Sequence, residues 1–456
     1  MMAKDLHLRT IKKIRLKPGP DAGARVLLNA LDHFESWFLL EVVYFYENTL
    51  DPARLQQSLL QALAAFPLLC GGLRMTSAGS LAVDYPHAGA VLSICESGRT
   101  LPEVRGGLHE TFTVYDFIEK INPLLLPLKN RPLATFRITR FKGGGSALGI
   151  SVSHALTDGP SFYSFINHWS GVHEGRPVSP PLHDRSLLVS SADGADSPSQ
   201  NHREPPAACR GFRRLTASQL CTLFSRFLLG QGSAVCCVLP FTRSQTAAIK
   251  NAAQKCGRAS LNDALCAHLW QFCAELNPSA DNKALRRLLI PASMRPKIGH
   301  PRADQYFGNA ISHAELAAQQ EELAGAGISA LASACRQTVA SLDSDHLRQQ
   351  MLWLGEIEKR RQLFRVYADV DPYAGDCMIS NLSRLPLYGA QFDGARPFRA
   401  EVPVIPIPWV LQVLPSPDAD GGIVVNAHIP RSAADKLKRD MWQAELYKYG
   451  DAEQCG

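Results

Sequence analysis

The sequence predicts an α/β fold of two domains, and three observations carry this prediction. The chain has 456 residues, and domains typically hold roughly 100–200 residues each. Strand-like and helix-like segments alternate in both halves, as expected for sheets covered by helices. Between the halves, residues 174–208 are rich in proline, serine and glycine, which favours a linker. The hydrophobic fraction of 46% can fill a sizeable core.

In the first half, a helix precedes two strands. Asp51 is a suitable N-cap and Pro52 suits the first helical turn. Apolar residues then recur at helical spacing: Leu55, Leu59, Leu63 and Phe66. Residues 133–141 and 148–154 alternate between apolar and polar, which predicts two strands. The glycine-rich segment 142–146 between them predicts a hairpin turn.

The second half repeats the alternation of strand and helix. Residues 234–241 predict a strand, and a helix follows with Ser260 and Asp263 as a capping pair at its start. The predicted organisation has three parts: an N-terminal domain of residues 1–180, a crossover linker of residues 181–230 and a C-terminal domain of residues 231–456.

Composition argues against several classes of function. The net charge of +6 forms no block, so nucleic acid is not an expected partner, whereas a phosphate-bearing small anion is compatible. The twelve cysteines show no C-x-x-C spacing, and the charged first residues lack a secretory signal. We therefore expect reduced thiols, no metal site and a cytoplasmic protein. The apolar stretch 402–414 is short and proline-rich, so no membrane span is expected.

The stretch around His154 is the strongest candidate site. Side chains alternate along a strand, so His154 shares a face with Leu148, Ile150 and Val152. Its place at the strand's end puts an imidazole at the mouth of an apolar cleft. We expect Gly159 to permit a tight turn into an amphipathic helix that packs the segment down. A general base needs this fixed geometry and a pKa near working pH.

The H-x-x-x-D pattern is weak by itself. With fourteen histidines, chance gives about one match, and His300 with Asp304 supplies a second. That second match lacks the strand, the glycine and the helix, so a structural histidine competes with a catalytic one at this stage. A serine hydrolase is disfavoured because G-x-S-x-G is absent and Ser151 and Ser153 lie on the opposite strand face. No P-loop, G-x-G-x-x-G or H-E-x-x-H occurs either.

The chain resembles the BAHD acyltransferases, which use acyl-coenzyme A. HALTDG, residues 154–159, is similar to the family's H-x-x-x-D-G motif. Five further segments resemble family segments in the same order: VVYFYENTLDPARLQQSLLQALAAFPLLCGGLR (42–74), PPLHDRSLL (180–188), LNDALCAHLWQ (261–271), ADQYFGNAI (303–311) and SNLSRLPLYGAQFDGARP (380–397). Together they cover nearly the full chain.

The resemblance implies a fold and a reaction. The fold would be two chloramphenicol-acetyltransferase-like domains, with mixed sheets flanked by helices and a channel between them. His154 would take a proton from a hydroxyl or amine of a small-molecule acceptor, which attacks the thioester of acyl-CoA without a covalent acyl-enzyme. Acyl-CoA would be a co-substrate, with no prosthetic group, and the protein would be a monomer.

The resemblance also assigns roles around His154. Asp158 would be structural, pointing away from the cleft and pairing with Arg295, while Gly159 would keep the loop open. Asn309 and Gly308 of YFGN would line the channel, and an oxyanion donor would lie near residues 380–383.

For the phosphates of coenzyme A, the residues themselves suggest a site. Lys255, Arg258 and Ser260 lie just before a predicted helix N-terminus, which favours anions. A plain solvated helix start is the competing interpretation.

Two departures from the family pattern leave alternatives open. The family's D-F-G-W-G is here QFDGA, Gln391–Ala395, and Leu382 replaces a tryptophan. A non-catalytic binding protein on the same fold is one alternative. The other is a condensation-type enzyme fed by a carrier protein, although Ser153 stands where those enzymes carry a second histidine.

Overall fold

The computed structural model describes residues 6–18, 24–77, 79–85, 88–108, 113–127, 131–189, 211–230, 234–403, 405–418 and 421–449. Its strands, in chain order, are β1 (Leu8–Leu16), β2 (Ala24–Leu27), β3 (Leu39–Tyr46), β4 (Gly72–Met75), β5 (Leu81–Tyr85), β6 (Ala90–Ser97), β7 (Ala134–Phe141), β8 (Ser146–Ser153), β9 (Phe212–Arg214), β10 (Ala234–Phe241), β11 (Leu285–Ser293), β12 (Ile311–Gln319), β13 (Val366–Ala368), β14 (Cys377–Asn381), β15 (Arg399–Glu401), β16 (Val410–Pro415) and β17 (Ile423–Pro430).

Its helices are α1 (Ala30–Phe34), α2 (Pro52–Ala65), α3 (Leu101–Gly107), α4 (Gly159–His173), α5 (Ser186–Val189), α6 (Ala217–Gly230), α7 (Arg243–Ala253), α8 (Leu261–Leu276), α9 (Gln320–Gly325), α10 (Ile328–Ala340), α11 (Ser344–Lys359), α12 (Arg431–Leu437) and α13 (Asp440–Leu446). In the part of the chain that the structure describes, none of these helices has the length and apolar character needed to cross a membrane.

Two six-stranded mixed sheets organise the fold. The first has the order β1-β6-β7-β8-β3-β15 and the second β10-β17-β16-β14-β11-β12. Both mix parallel and antiparallel pairs: β6 runs parallel to β7, and β14 runs parallel to β11 and β16. A separate apolar core packs on each sheet, and helices contribute to both. The predicted fold class, α/β with mixed sheets flanked by helices, is confirmed.

The local patterns of the sequence match the elements closely. Asp51 accepts hydrogen bonds from the N–H groups of Ala53 and Arg54 at the start of α2, and all four predicted core residues of that segment are buried. The capping pair Ser260 and Asp263 is present at the start of α8. The strand predicted over residues 148–154 begins two residues earlier, at Ser146, and ends before the histidine.

The interval predicted as a linker, residues 181–230, is folded where the structure describes it. It holds α5, β9 and α6, and Leu182 forms a bridge to Tyr306 in the second half. Residues 190–210 lie outside the described residues. The division into two domains stays a prediction, and one feature complicates it: β15, from the last quarter of the chain, is the edge strand of the first sheet.

Candidate active site

His154 lies in the turn between β8 and α4, where both halves of the chain meet. Its backbone N–H donates to the carbonyl of Phe38, 3.0 Å away, which fixes the start of the turn. Its side chain is 14% exposed. Its Nδ1 lies 3.0 Å from Oδ1 of Asn309, which belongs to the YFGN segment of the second half. The histidine therefore sits between the two halves, with a small opening to solvent.

The contacts of Asn309 determine which nitrogen of His154 carries the proton. Asn309 Nδ2 lies 2.8 Å from Oδ1 of Asp32 and 2.8 Å from the His154 carbonyl, and both are acceptors. The amide nitrogen must therefore be on that side, and the amide oxygen must face the imidazole. An oxygen at Nδ1 accepts a proton from it, so Nδ1 is the N–H and Nε2 keeps its lone pair.

Asp32 is in turn held by a buried arginine. Arg185 Nε donates to Asp32 Oδ2 over 2.8 Å, and its other two nitrogens donate to the carbonyls of Leu156 and Phe307. Asp32 and Arg185 are both buried. A relay Arg185–Asp32–Asn309 thus orients the imidazole, and it joins three separate parts of the chain.

Asp158 forms a bidentate ion pair with Arg295 beside the same turn. The distances are 2.7 Å from Nη1 to Oδ2 and 2.8 Å from Nη2 to Oδ1, and both side chains are buried. Asp158 also caps α4 through the N–H of Ser161 and accepts from the N–H of Ala310. Burial by itself raises the pKa of Asp158, but the charge and hydrogen bonds of Arg295 outweigh it and hold the pKa below its ordinary value.

Arg295 ties the Asp158 turn to the YFGN segment. Its Nη2 also donates to Ser161 Oγ and to the carbonyls of Tyr306 and Gly308. A Cβ at Gly308 would come within 2.6 Å of the Tyr306 hydroxyl, so this close approach needs glycine. Asp158 therefore points into this buried cluster, and no contact joins its carboxylate to the His154 ring.

The backbone conformation does not explain why residue 159 is a glycine. Gly159 is the first residue of α4 and lacks a positive φ. A Cβ there would meet Leu382 and Leu385 at 3.5 Å, an ordinary contact distance. The expectation that Gly159 permits a tight turn is wrong, since an L-residue would fit both the conformation and the space.

Glu35 is a second acidic side chain beside His154. It opens a single helical turn, Glu35–Trp37, directly before β3. Because β3 runs antiparallel to β8, with Leu39 opposite Ser153, the residues before β3 lie next to those after β8. Glu35 Oε2 is consequently 3.7 Å from His154 Nε2, the nitrogen with the free lone pair.

The surroundings of Glu35 raise the pKa of its carboxyl group. Burial raises its pKa; the nearby His154 lowers it, and the charges of Asp158 and Asp32 raise it again, so that the pKa lies above the ordinary value. The Glu35 side chain is 7% exposed.

The residues expected to bind coenzyme A lie in the segment between α7 and α8. Lys255 and Arg258 are exposed, and Ser260 Oγ accepts from the N–H of Asp263 as the N-cap. The next residue but one, Asn262, accepts a 2.8 Å hydrogen bond from Asn381. That contact links the helix start to residues 380–383, and Leu382 in this segment packs near Gly159. The candidate phosphate site and the His154 turn are thus joined through one short segment.

The segment that replaces D-F-G-W-G packs against the far end of α4. Phe392 is fully buried, with its ring 4.7 Å from that of Trp169 and 5.2 Å from that of His173. Asp393 Oδ1 lies 3.1 Å from His173 Nε2, and Ser58 Oγ lies 2.8 Å from His173 Nδ1. The altered motif therefore keeps a packing role.

The sequence left three residues of this site unidentified: Asp32, Glu35 and Arg185. Each lies outside the H-x-x-x-D-G segment, and only the strand pairing and chain crossing of the fold bring them to His154. His300, the second H-x-x-x-D histidine, lies in a loop where its Nδ1 accepts from the N–H of Arg302. No group of three or more His, Cys, Asp or Glu side chains suited to a metal ion occurs among the described residues.

Comparison with known proteins identifies the family of the chain. A model of the Transferase family matches residues 6–444. A hydroxycinnamoyltransferase of Narcissus pseudonarcissus is 25% identical over 434 residues, covering 93% of this chain and 96% of its own. Putrescine hydroxycinnamoyltransferase 1 of Oryza sativa subsp. japonica is 26% identical over 456 residues, covering 92% and 95%.

Among solved structures, F. graminearum TRI101 complexed with ethyl coenzyme A has a similar fold. The TM-score is 0.72 at 18% identity, over 92% of this chain and 98% of that one. The family match spans almost the whole chain. The chain belongs to this Transferase family, that of the BAHD acyltransferases, which move acyl groups from acyl-CoA, their co-substrate, to small-molecule acceptors.

Proposed function

We propose that the chain transfers an acyl group from acyl-CoA to a hydroxyl or amine of a small metabolite, with Nε2 of His154 as the general base. The contact between His154 Nδ1 and Asn309 Oδ1 carries this proposal, because it leaves the lone pair of Nε2 free to accept a proton. The base takes the acceptor's proton as the acceptor attacks the thioester carbonyl. The tetrahedral intermediate then expels the thiolate, which receives that proton, so no covalent acyl-enzyme forms.

Other residues are proposed to support this chemistry without touching protons. Asp158 and Arg295 hold the turn that carries His154, and Gly159 lines the space beside Leu382. Lys255, Arg258 and Ser260 contact the phosphates of coenzyme A at the N-terminus of α8, where backbone N–H groups and the helix dipole favour anions. Binding both substrates in one channel supplies the entropic part of catalysis.

The choice of donor is guided by the relatives. The names of the narcissus and rice proteins both state a hydroxycinnamoyl group, so a hydroxycinnamoyl-CoA is the first donor to test, beside acetyl-CoA. We further propose a monomer that acts in the cytoplasm, with residues 1–180 and 231–456 as the two domains. Ser153, directly before His154, supports free coenzyme A over a carrier protein.

The test is thiol release from a panel of acyl-CoAs, with pooled alcohols and amines as acceptors and mass spectrometry of the products. The proposal expects release that depends on an acceptor and yields an ester or amide of matching mass. Failure of every acyl-CoA to release thiol above the rate without protein would contradict it and favour a non-catalytic binding protein.

A further inference from the structure

Three buried carboxylates surround the His154 turn, and they differ in their partners. Asp158 pairs with Arg295 and Asp32 pairs with Arg185, each at hydrogen-bond distance. For Glu35, the nearest group able to carry positive charge among the described residues is the imidazole of His154 itself, 3.7 Å away. A buried carboxylate without a hydrogen-bonded cation is costly. Of the three carboxylates, Glu35 is therefore the one without a hydrogen-bonded cation among the described residues.

The geometry also bears on the number of protons that leave the acceptor. A hydroxyl loses one proton during acyl transfer, whereas an amine that arrives as an ammonium ion loses two. Glu35 Oε2 and His154 Nε2 are 3.7 Å apart, so a single nitrogen can lie about 2.8 Å from both. Two proton acceptors that converge on one atom match the requirement of an ammonium ion.

We infer that the acceptor is a primary amine, bound as its ammonium ion between Glu35 and His154, so that the enzyme forms amides. This inference rests on the proposed acyltransferase function and deepens it. The Glu35 carboxylate attracts the ammonium ion and removes its first proton, giving a neutral amine. The amine nitrogen attacks the thioester carbon, and the C–N bond forms while His154 Nε2 takes the second proton.

The intermediate then collapses with balanced charge. The C–S bond breaks, and the proton on His154 passes to the sulfur, so that coenzyme A leaves as the thiol. The proton on Glu35 returns to solvent. The sum is one ammonium ion and one thioester giving one amide, one thiol and one proton. Burial raises the pKa of Glu35, which makes its carboxylate a stronger proton acceptor than an exposed one.

Matched acceptors test the inference directly. Phenethylamine and 2-phenylethanol differ only in the reacting group, as do putrescine and 1,4-butanediol. The wild-type protein is assayed with p-coumaroyl-CoA and acetyl-CoA, and kcat/KM is measured for each member of a pair. The amine is expected to exceed the alcohol by roughly 10-fold or more, since a charge-assisted hydrogen bond forms with the amine alone.

Glu35→Gln is the diagnostic variant, because it keeps the shape and removes the charge. The ratio of amine to alcohol kcat/KM is expected to fall roughly 10- to 100-fold. A ratio taken within one preparation does not depend on the folded fraction. Glu41→Gln is the matched control: Glu41 lies on β3, accepts from Ser151, and faces the side of the sheet away from His154. It should leave the ratio unchanged.

The outcomes separate the inference from the function on which it rests. Ester products with an unchanged ratio in Glu35→Gln would overturn the amine inference and leave the acyltransferase in place. An equal fall of the ratio in Glu41→Gln would also overturn it, because the effect would not be specific to the site. Absence of thiol release with every acceptor would count against the function itself, and the inference would fall with it.

Discussion

Two histidines lie at opposite ends of α4, and they differ in the state of their ring nitrogens. His173, the last residue of the helix, has Nδ1 near Ser58 Oγ and Nε2 near Asp393, and its side chain is 1% exposed. His154, just before the helix, has only Nδ1 bound, and its side chain is 14% exposed. An imidazole with both nitrogens engaged is a structural crosslink. One with a single nitrogen fixed and the other free is oriented for proton transfer.

The largest effect is expected from His154→Ala. Loss of a placed general base should lower kcat by roughly 10²- to 10⁴-fold. The protein should stay folded, with a loss of about 1–3 kcal/mol of stability, because the buried Asn309 Oδ1 loses the Nδ1–H that it accepts. Turnover and circular dichroism on the same preparation check this. Turnover equal to that of the wild type would show that His154 is structural, like His173.

The next largest effect is expected from the ion pair of Asp158 and Arg295, which holds the N-terminal end of α4. Asp158→Ala and Arg295→Ala should each lower the free energy of unfolding by about 3–5 kcal/mol, because each strands a buried charge. The double variant should lose clearly less than the sum of the two. Denaturant unfolding of all four proteins measures the coupling, and strictly additive losses would contradict the pairing.

Acid unfolding gives the same pair a separate signature. The pKa of Asp158 is lowered in the folded protein, so its stabilisation is complete above its unfolded value, about 3.9. That stabilisation is lost as pH falls through the lower folded value. The double variant should therefore lose less stability than the wild type on titration below pH ~4. Parallel acid titrations of the wild type and the double variant measure this loss. A larger loss of stability in the double variant would contradict the prediction.

Asn309→Ala tests the tautomer of His154. Without the amide oxygen the proton on Nδ1 has no fixed acceptor, and kcat should fall roughly 10- to 100-fold. A fall in kcat with little change in KM is expected, since Asn309 orients the base and does not hold the acceptor. An unchanged kcat would show that another contact sets the tautomer.

His173→Ala should differ from His154→Ala in its effect on turnover. It removes the contacts of His173 with Ser58 and Asp393 and its ring packing on Phe392, which costs about 1–3 kcal/mol of stability. Turnover per folded molecule should be retained, because the crosslink lies at the far end of α4. A loss of kcat without a fall in melting temperature would mean that the two ends of the helix are functionally coupled.

The smallest effect is expected from His300→Ala. His300 shares the H-x-x-x-D pattern but lies in a loop and caps only the N–H of Arg302. Stability should change by no more than about 0.5 kcal/mol, and turnover should be unaffected. A loss as large as that of His154→Ala would show that the wrong histidine had been chosen.

The sequence predicts those residues of the site whose contacts are local, and misses those whose contacts are far away in sequence. His154 and Asp158 lie within one strand–turn–helix, so strand alternation made His154 a candidate. The resemblance to the family was needed to favour a catalytic histidine over a structural one and to give Asp158 its role. Arg295 and Asn309 were reached only through similarity to the family's segments. Asp32 and Glu35 carry no local signal, because only the antiparallel pairing of β3 with β8 brings them to His154. Arg185 lies in a proline-rich interval that suggested a linker, and its burial depends on carbonyls far away in sequence.

Because β15 is synthesised long after β3, the first sheet cannot be completed until late in translation. The Tyr46 hydroxyl donates to the carbonyl of Ala390, 344 positions later. At roughly 5–20 residues per second, synthesis separates these partners by roughly 20–70 s. Throughout that interval the edge of β3 is without its partner strand and exposes unpaired backbone groups. We expect a nascent chain stalled after α5 to be cut by protease within β3, and full protection would contradict this. The first sheet to be synthesised is thus completed only near the end of translation, so the N-terminal half depends on the ribosome finishing the chain.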